Sequence, residues 1–538
     1  MADRNQNILS KLEKEIDAPG DDEDILSEAD LVLRRRVPIN RTTDAITGIT
    51  LDGVCVAVVG RPLIRANAGL DISQSEWSEL AARLGALDGY WLAFAFDKKN
   101  ERLDVVCDHL GVAWLYWAQV PGGVAFSSDF GALSRCLANR PQLNDEACLL
   151  SLTLTYPIGD STCFKQIRLV SPGSALQFCQ GRVLERRLRL PAYGDRWAGK
   201  SRKETFSVLD EALDASFQAW SLSHSSIPWS VALSSGNDSR YGLGLLLQHG
   251  QRPSCATFGL PGSTDVKGAV AICHREHLRH EIFSTNRQTS WEAWGDAIQR
   301  LGVVSGFQYV AGWGQDWRRA LVGLGGQVVL GYLGDALSGR HLVDRHDGDW
   351  LANWEAWSLD EREDGSWTGS EILRVEAREQ ARAKLRGALL RACEGLHFSD
   401  QPQRALHLDL FCRQRRATAA QVNFLTDEVP IAPLFYTRQM IDFWSNLGYE
   451  DLKGQALYLD YARTRYPGLF GPPRQPSLAR RAKGTFANLL VALAPSLRPY
   501  LAPPEIDNRA LIAQHLNRAR SLIRNYGEAV SHIIDLVA

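Results

Sequence analysis

Residues 229–248 read WSVALSSGNDSRYGLGLLLQ, and this stretch decides the fold. Residues 229–233 form a short apolar run of strand length, Ser234 to Ser239 form a tight polar turn, and 240–248 are leucine-rich and helical. A strand feeding a small-residue loop that opens a helix makes an anion site. Free backbone N–H groups at the helix start converge on the ligand, and the helix dipole favours negative charge. Asp238 cannot itself bind phosphate, so its task in such a loop would be to hold Mg2+ against phosphate oxygens. Ser, Gly and Asn are also common in plain strand-to-helix turns, so the loop alone leaves both readings open.

The rest of the composition narrows the class. With 538 residues the chain is long enough for several domains with full cores. Its 45% hydrophobic and 23% charged residues are those of a soluble globular protein. A net charge of −2 supplies no basic field, so nucleic acid is not an expected partner. The first residues are charged and lack the apolar core of a secretory signal, and the apolar patch at 486–494 is too short to span a bilayer. Ten cysteines are scattered without a CxxC pair, which suits reduced thiols and a cytoplasmic location.

Working outward from the loop, residues 1–45 read as a charged extension. A possible helix there carries Ile8, Leu9, Leu12 and Ile16 on one face, and the acidic run Asp21, Asp22, Glu23, Asp24 reads as a solvated tail. Residues 46–189 show short strands at 54–59, 91–96, 103–107, 115–118 and 124–127 with a helix at 75–84, an α+β layered domain. Pro191, Gly194 and Gly199 mark 190–201 as a linker. In 202–538 a helix at 203–217 leads into the strand at 229, and strand 254–258, helix 266–277 and strand 280–283 continue in β-α-β order. That is the pattern of a parallel sheet, with ligands at the carboxyl ends of its strands. Beyond about residue 350 the chain reads as mostly helical.

The loop resembles the S-G-G-x-D-S motif of the ATP pyrophosphatase superfamily, with Ser235 in place of the first glycine. Three further blocks follow in order upstream: GYWLAFAFD at 89–97, DHLGVAWLY at 108–116 and FSSDFGAL at 126–133. They resemble the amino-terminal glutaminase-type domain of asparagine synthetase, and FKQIRLVSPGSAL at 164–176 resembles its later block before the linker. The resemblance covers most of residues 50–485. It implies an Ntn-type αββα glutaminase-like domain followed by an ATP-pyrophosphatase-type parallel-sheet domain. ATP would then be held by Ser234, Ser235, Gly236, Asn237, Asp238 and Ser239, with Gly259 and Gly334 beside them.

Departures from the family are informative. Its glutamine-dependent members expose an amino-terminal cysteine once Met1 is removed, whereas here Ala2 and a charged extension come first and Cys55 reads as a buried core thiol. The amino-terminal domain is therefore expected to keep the fold without glutaminase chemistry. The family's second acidic motif, G-E-G-x-D-E, appears as GYLGDA at 331–336, retaining Asp335 as a second Mg2+ ligand with Asp238. In β-lactam synthetase, a glutaminase-dead relative, a tyrosine near this position belongs to a Tyr–Glu base dyad. Tyr332 could play that part, with the partner region at Arg413 to Arg416, or be a core tyrosine. Lys483 resembles the family's late lysine that stabilises the acyl-adenylate and pyrophosphate, though a surface lysine is the plainer alternative.

His280-Glu281 matches a family strand and is taken as structural. The tryptophans Trp291, Trp294, Trp313, Trp317, Trp350, Trp354, Trp357 and Trp367 are half of the chain's sixteen, and suit either a core or an apolar substrate lobe. His341, Asp344, His346, Asp347 and Asp349 are irregularly spaced, as in a polar loop. Arg509, Arg518, Arg520 and Arg524 fall on an amphipathic carboxyl-terminal helix.

Together these imply an ATP-dependent carbon–nitrogen ligase. A carboxylate is adenylated with release of pyrophosphate and then joined to an amine. Lasso-peptide macrolactam closure is the favoured version, with a peptide substrate and a precursor-processing protease as partner. A small-molecule amide or β-lactam synthetase and ammonia-dependent amidation of a sugar acid are the alternatives, and a non-catalytic scaffold for a precursor peptide is the reading from another class.

Overall fold

Strand β5 (Asp88–Asp97) is apolar on both faces, DGYWLAFAFD, and so must be covered from both sides. In the computed structural model it is. The structure describes residues 21–28, 31–37, 46–51, 54–63, 84–85, 87–121, 123–137, 141–154, 156–188, 191–223, 227–259, 262–283, 300–302, 315–342, 349–359, 375–425 and 429–471. In it β5 lies inside a six-stranded antiparallel sheet with β3 (Ile46–Leu51), β4 (Val54–Leu63), β6 (Arg102–Cys107), β10 (Ser174–Cys179) and β11 (Arg182–Arg187), in the order β11-β10-β6-β5-β4-β3. Leu92, Phe94 and Phe96 point from one face onto a smaller sheet of β7 (Tyr116–Val120), β8 (Gly123–Ser127) and β9 (Arg168–Leu169), where Trp117, Phe126 and Phe178 close the gap. Trp91, Ala93 and Ala95 point the other way, with Val56, Val58 and Leu84. Helices Phe130–Cys136 and Asp145–Leu154 belong to the same domain, the first packed on β7 and β8.

The acidic run corrects one expectation. Asp21–Glu28 is a strand, β1, paired antiparallel with β2 (Leu31–Val37) so that Asp22, Glu23 and Asp24 stand opposite Arg36, Arg35 and Arg34. The stretch is thus a paired strand beside β3 and β4, where an irregular tail was expected. The expected helix at Ile8 to Ile16 lies outside the described residues.

The second sheet is parallel. β12 (Trp229–Ala232) pairs with β13 (Ser254–Phe258), β13 with β14 (His280–Phe283), and β15 (Gln327–Val329) with the other side of β12. The chain thus steps outward from β12 in one direction and returns on its opposite flank. In open parallel sheets such a reversal, here at the β12/β15 boundary, is where a crevice forms at the strands' carboxyl ends. Helices Arg202–Ser223, Asn237–Gln248 and Thr264–Glu276 join this sheet. Beyond residue 349 the described elements are helical, including a π-helix at Asp409–Thr418.

Residues 191–201 do more than link. Tyr193 donates its hydroxyl to His407 Nδ1 at 2.8 Å, and the Gly194 and Trp197 amides bond Ser445 and Asn446 carbonyls, so the stretch is fastened to the helical half. His407 Nε2 lies 3.1 Å from the Ala392 carbonyl and must carry the hydrogen there.

The two halves share one core, joined through buried polar contacts. Asp108 accepts the amides of Leu110, Val112 and Ala113 and the hydroxyl of Tyr436. Arg61 bonds the Ile431 carbonyl at 2.7 Å and Gln327, and the Tyr90 hydroxyl bonds the same carbonyl at 3.0 Å. Arg415 and Arg416, each 1% exposed, bond the carbonyls of Gly159, Val170 and Ser161 across the boundary. Burial first, and the neighbouring Arg415 charge second, lower the Arg416 pKa to about 9. None of the ten cysteines forms a disulfide. Among the described residues no helix is long and apolar enough to cross a membrane.

Two outcomes follow from these contacts. Asp108→Ala leaves several buried donors without an acceptor, at about 1–3 kcal/mol each, so urea unfolding should show a loss above roughly 3 kcal/mol. Burial lowers the His407 pKa to about 4. The unfolded chain therefore takes up a proton first, and stability falls as pH drops from about 6.5 toward 4. His407→Leu should flatten that slope in urea midpoints compared at pH 7.5 and pH 5, whatever it does to stability at neutral pH.

Candidate functional site at the sheet crevice

Both aspartates of the sequence analysis arrive at this crevice. The helix Asn237–Gln248 starts from Gly236 with no side-chain cap, so its first-turn amides are left for another acceptor. Asp238 sits in that first turn. Across from it, the turn after β15 brings Gly331 and Gly334 so close that a Cβ on either would meet Asp238 atoms at 2.7 Å and 2.8 Å. Glycine is required there because any side chain would push the two turns apart. Leu333 between them has φ 73°, a strained left-handed conformation for a buried leucine, fixed where the turn must bend toward Asp238.

The Asp335 amide donates to Asp238, and Tyr458 donates its hydroxyl to Asp238 Oδ1 at 2.7 Å. Burial and then the Asp335 charge outweigh these donors and push the Asp238 carboxyl up to about 7. Two carboxylates so placed repel, and a dication between them would remove the repulsion. The pair offers two carboxylates and no third metal-type ligand among the described residues. That fits Mg2+, which takes one or two carboxylates and fills its other positions with water and phosphate oxygens.

The loop itself differs from expectation in one respect. The Ser234 amide donates to Ser239 Oγ at 3.0 Å, the Gly236 amide to Ser234 Oγ at 3.1 Å, and the Ser235 amide to Asp265 Oδ1 at 3.1 Å. These three donors serve the loop's own shape, so of the loop only the first helical turn, Asn237 to Ser239, could still offer its amides to an anion. Ser235 also donates its hydroxyl to Asp265 at 2.6 Å, and its Cβ rests 2.8 Å from where a Cβ of Gly268 would be. Ser235 thus ties the loop to the next helix. Arg240 fixes it from the other side, bonding Gly236, Asn237 and the Leu469 carbonyl. The Gly259 amide is used by Phe283 within the sheet, and so is not free for a ligand.

Tyr332 is 5% exposed, and its hydroxyl donates to the Gln414 carbonyl at 3.3 Å. The segment foreseen as its partner is indeed adjacent, but it presents a backbone carbonyl in place of a carboxylate. Burial, then the charges of Asp108 and Asp409, hold the phenol well above its ordinary pKa. This is the environment of the core-tyrosine alternative. Lys483 lies outside the described residues. So do Trp291, Trp294, Trp313, Trp367, Asp344, His346 and Asp347, while Trp354 is core and Asp349 pairs with Arg386. His280 Nε2 lies 2.8 Å from the Thr257 hydroxyl within the sheet.

Sequence reasoning missed Tyr458, Asp265 and Asp409. The hydroxyl on Asp238 comes from a position 220 residues away, with no motif to announce it. His341 joins Asp335 to Asp409, with its Nδ1 2.9 Å from Asp409 and its Nε2 3.4 Å from Asp335. Burial alone would lower the His341 pKa, but the charge and hydrogen bond of Asp409, and the charge of Asp335, raise it.

Residues 75–188, which hold β5 to β11, match the family model described as a glutamine amidotransferase domain. No curated protein matches the chain. An amidotransferase-type domain is compatible with an amidation enzyme of the asparagine synthetase kind.

Gly334→Ala tests the crevice directly. Its Cβ would lie 2.8 Å from Asp238 Cγ and 3.0 Å from Phe435, so the aspartate must move. The expected outcome is a fall in melting temperature of several degrees, as for an overpacking loss of roughly 1–3 kcal/mol, together with loss of any magnesium-dependent shift by ATP in the same thermal scan.

Proposed function

We propose that this chain is an ATP-dependent carbon–nitrogen ligase that adenylates a carboxylate with release of pyrophosphate and then joins the acyl-adenylate to an amine with release of AMP. The observation that carries this is the pairing of Asp238 and Asp335 at the uncapped helix start in the switch-point crevice. In this reading the amides of Asn237 to Ser239 receive the pyrophosphate as it departs, and Asp238 and Asp335 hold Mg2+. The ion supplies neutralising charge on the phosphate oxygens. Tyr458 keeps Asp238 aimed into the crevice, while Arg240, Ser235 and Asp265 keep the loop from collapsing onto the helix.

The nitrogen is proposed to come from an amine other than glutamine-derived ammonia. Cys55 is fully buried in β4, opposite Phe96 of β5. Burial there suits a core thiol. The amidotransferase-type domain then serves as the wall against which the helical half is built. A peptide carboxylate closed onto its own amine is the favoured substrate pair, carried over from the resemblance to macrolactam synthetases, and a uronic acid with free ammonia is the alternative.

ATP–pyrophosphate exchange tests this with panels of peptide carboxylates, amino acids and uronic acids. Exchange should appear with one class and fall about a hundredfold or more in Asp238→Ala, as expected when a metal-held charge is worth several kcal/mol. Exchange with no acid of any class would point to a non-catalytic scaffold and end the ligase assignment.

A further inference from the structure

Of the two crevice aspartates, Asp238 is locked by Tyr458 and by the Asp335 amide, but the Asp335 side chain is 40% exposed and needs its own support. That support comes from the π-helix Asp409–Thr418. Asp409 lies with its side chain only 7% exposed, receives Gln414 Nε2 at 3.5 Å and faces Arg413 at 3.6 Å. Its Oδ2 holds His341 Nδ1 at 2.9 Å, and the other edge of the same ring, Nε2, stands 3.4 Å from Asp335 Oδ2. Arg413 lies 3.3 Å from the ring nitrogens and closes the third side. The imidazole is thus clamped between a buried carboxylate and a solvent-facing one, with no freedom to turn away.

We propose that His341, clamped by Asp409 and Arg413, is a positioning residue that fixes the Asp335 carboxylate for the metal–nucleotide. The inference rests on the ligase assignment. With Oδ2 of Asp335 turned to the imidazole, Oδ1 is left for the cation. Groups that orient a metal-ligating side chain in this way commonly contribute a 10- to 100-fold gain in metal affinity. The π-helix suits the task, because such segments insert an extra residue per turn and often lie at functional sites. From this one segment Asp409 and Arg413 reach His341, the Gln414 carbonyl receives Tyr332, and Arg415 and Arg416 reach the amidotransferase-type domain.

The test is a titration of the full chain with Mn2+, which stands in for Mg2+, in the presence of a non-hydrolysable ATP analogue, with free Mn2+ read by its paramagnetic resonance signal. His341→Ala should weaken Mn2+ binding by about 10- to 100-fold, while metal-free binding of the analogue stays within about twofold. His341→Gln, which keeps a donor at that place, should recover part of the loss. Asp409→Asn should weaken Mn2+ less than His341→Ala does and add nothing on top of it, because the two act through one contact. If His341→Ala and His341→Gln both bind Mn2+ like the wild type while Asp335→Ala does not, the positioning role is overturned and the ligase assignment stands. If the wild type shows no nucleotide-dependent Mn2+ site, the ligase assignment itself falls and takes the inference with it.

Discussion

Two carboxylates facing each other in a crevice are an arrangement that a protein must be built to hold. Left to themselves they would separate or take up a proton, and the Asp238 carboxyl, titrating near 7, records that tension. Everything nearby opposes their separation. Gly331 and Gly334 let the β15 turn approach, Leu333 accepts a strained backbone, and Tyr458 and His341 each hold one partner. The parallel sheet places them there, since β12 and β15 are adjacent strands whose connections leave in opposite directions.

The amino-terminal domain takes part in this support. Arg61 and Tyr90 both reach the Ile431 carbonyl, and Ile431 forms a parallel bridge with Val328 of β15, the strand that delivers Asp335. Asp108 holds Tyr436, whose ring lies 6.2 Å from that of Tyr332 in the same turn. A domain tied in by buried charges and shared core cannot rock freely, because moving it would strand Arg415, Arg416 and Asp108 without their partners. The domain therefore has a structural part in holding the parallel-sheet half.

The discrepancies have causes that local patterns do not carry. The acidic run reads as a tail because its complement, Arg34 to Arg36, lies on another strand, and pairing is a property of both. The linker reads as loose because Pro and Gly mark a chain without regular structure, and nothing local shows that Ser445, Asn446 and His407 will bond it. The loop amides read as anion donors, but Ser234, Ser239 and Asp265 take three of them to shape the turn.

What the sequence by itself determined is whatever depends on near neighbours. Short apolar runs bounded by turn residues indicate β5 and β6, the order of strands and helices from 229 to 283 indicates a parallel sheet, and Gly236 and Asp238 read as part of a strand-to-helix turn. Only the tertiary structure decided which distant groups meet there. Tyr458 on Asp238, Asp409 behind His341 and the backbone carbonyl facing Tyr332 come from segments far apart in the chain, packed together by a common core. Periodicity is local, whereas the potential felt by a buried carboxylate is the sum over everything that folding brings within a few ångströms.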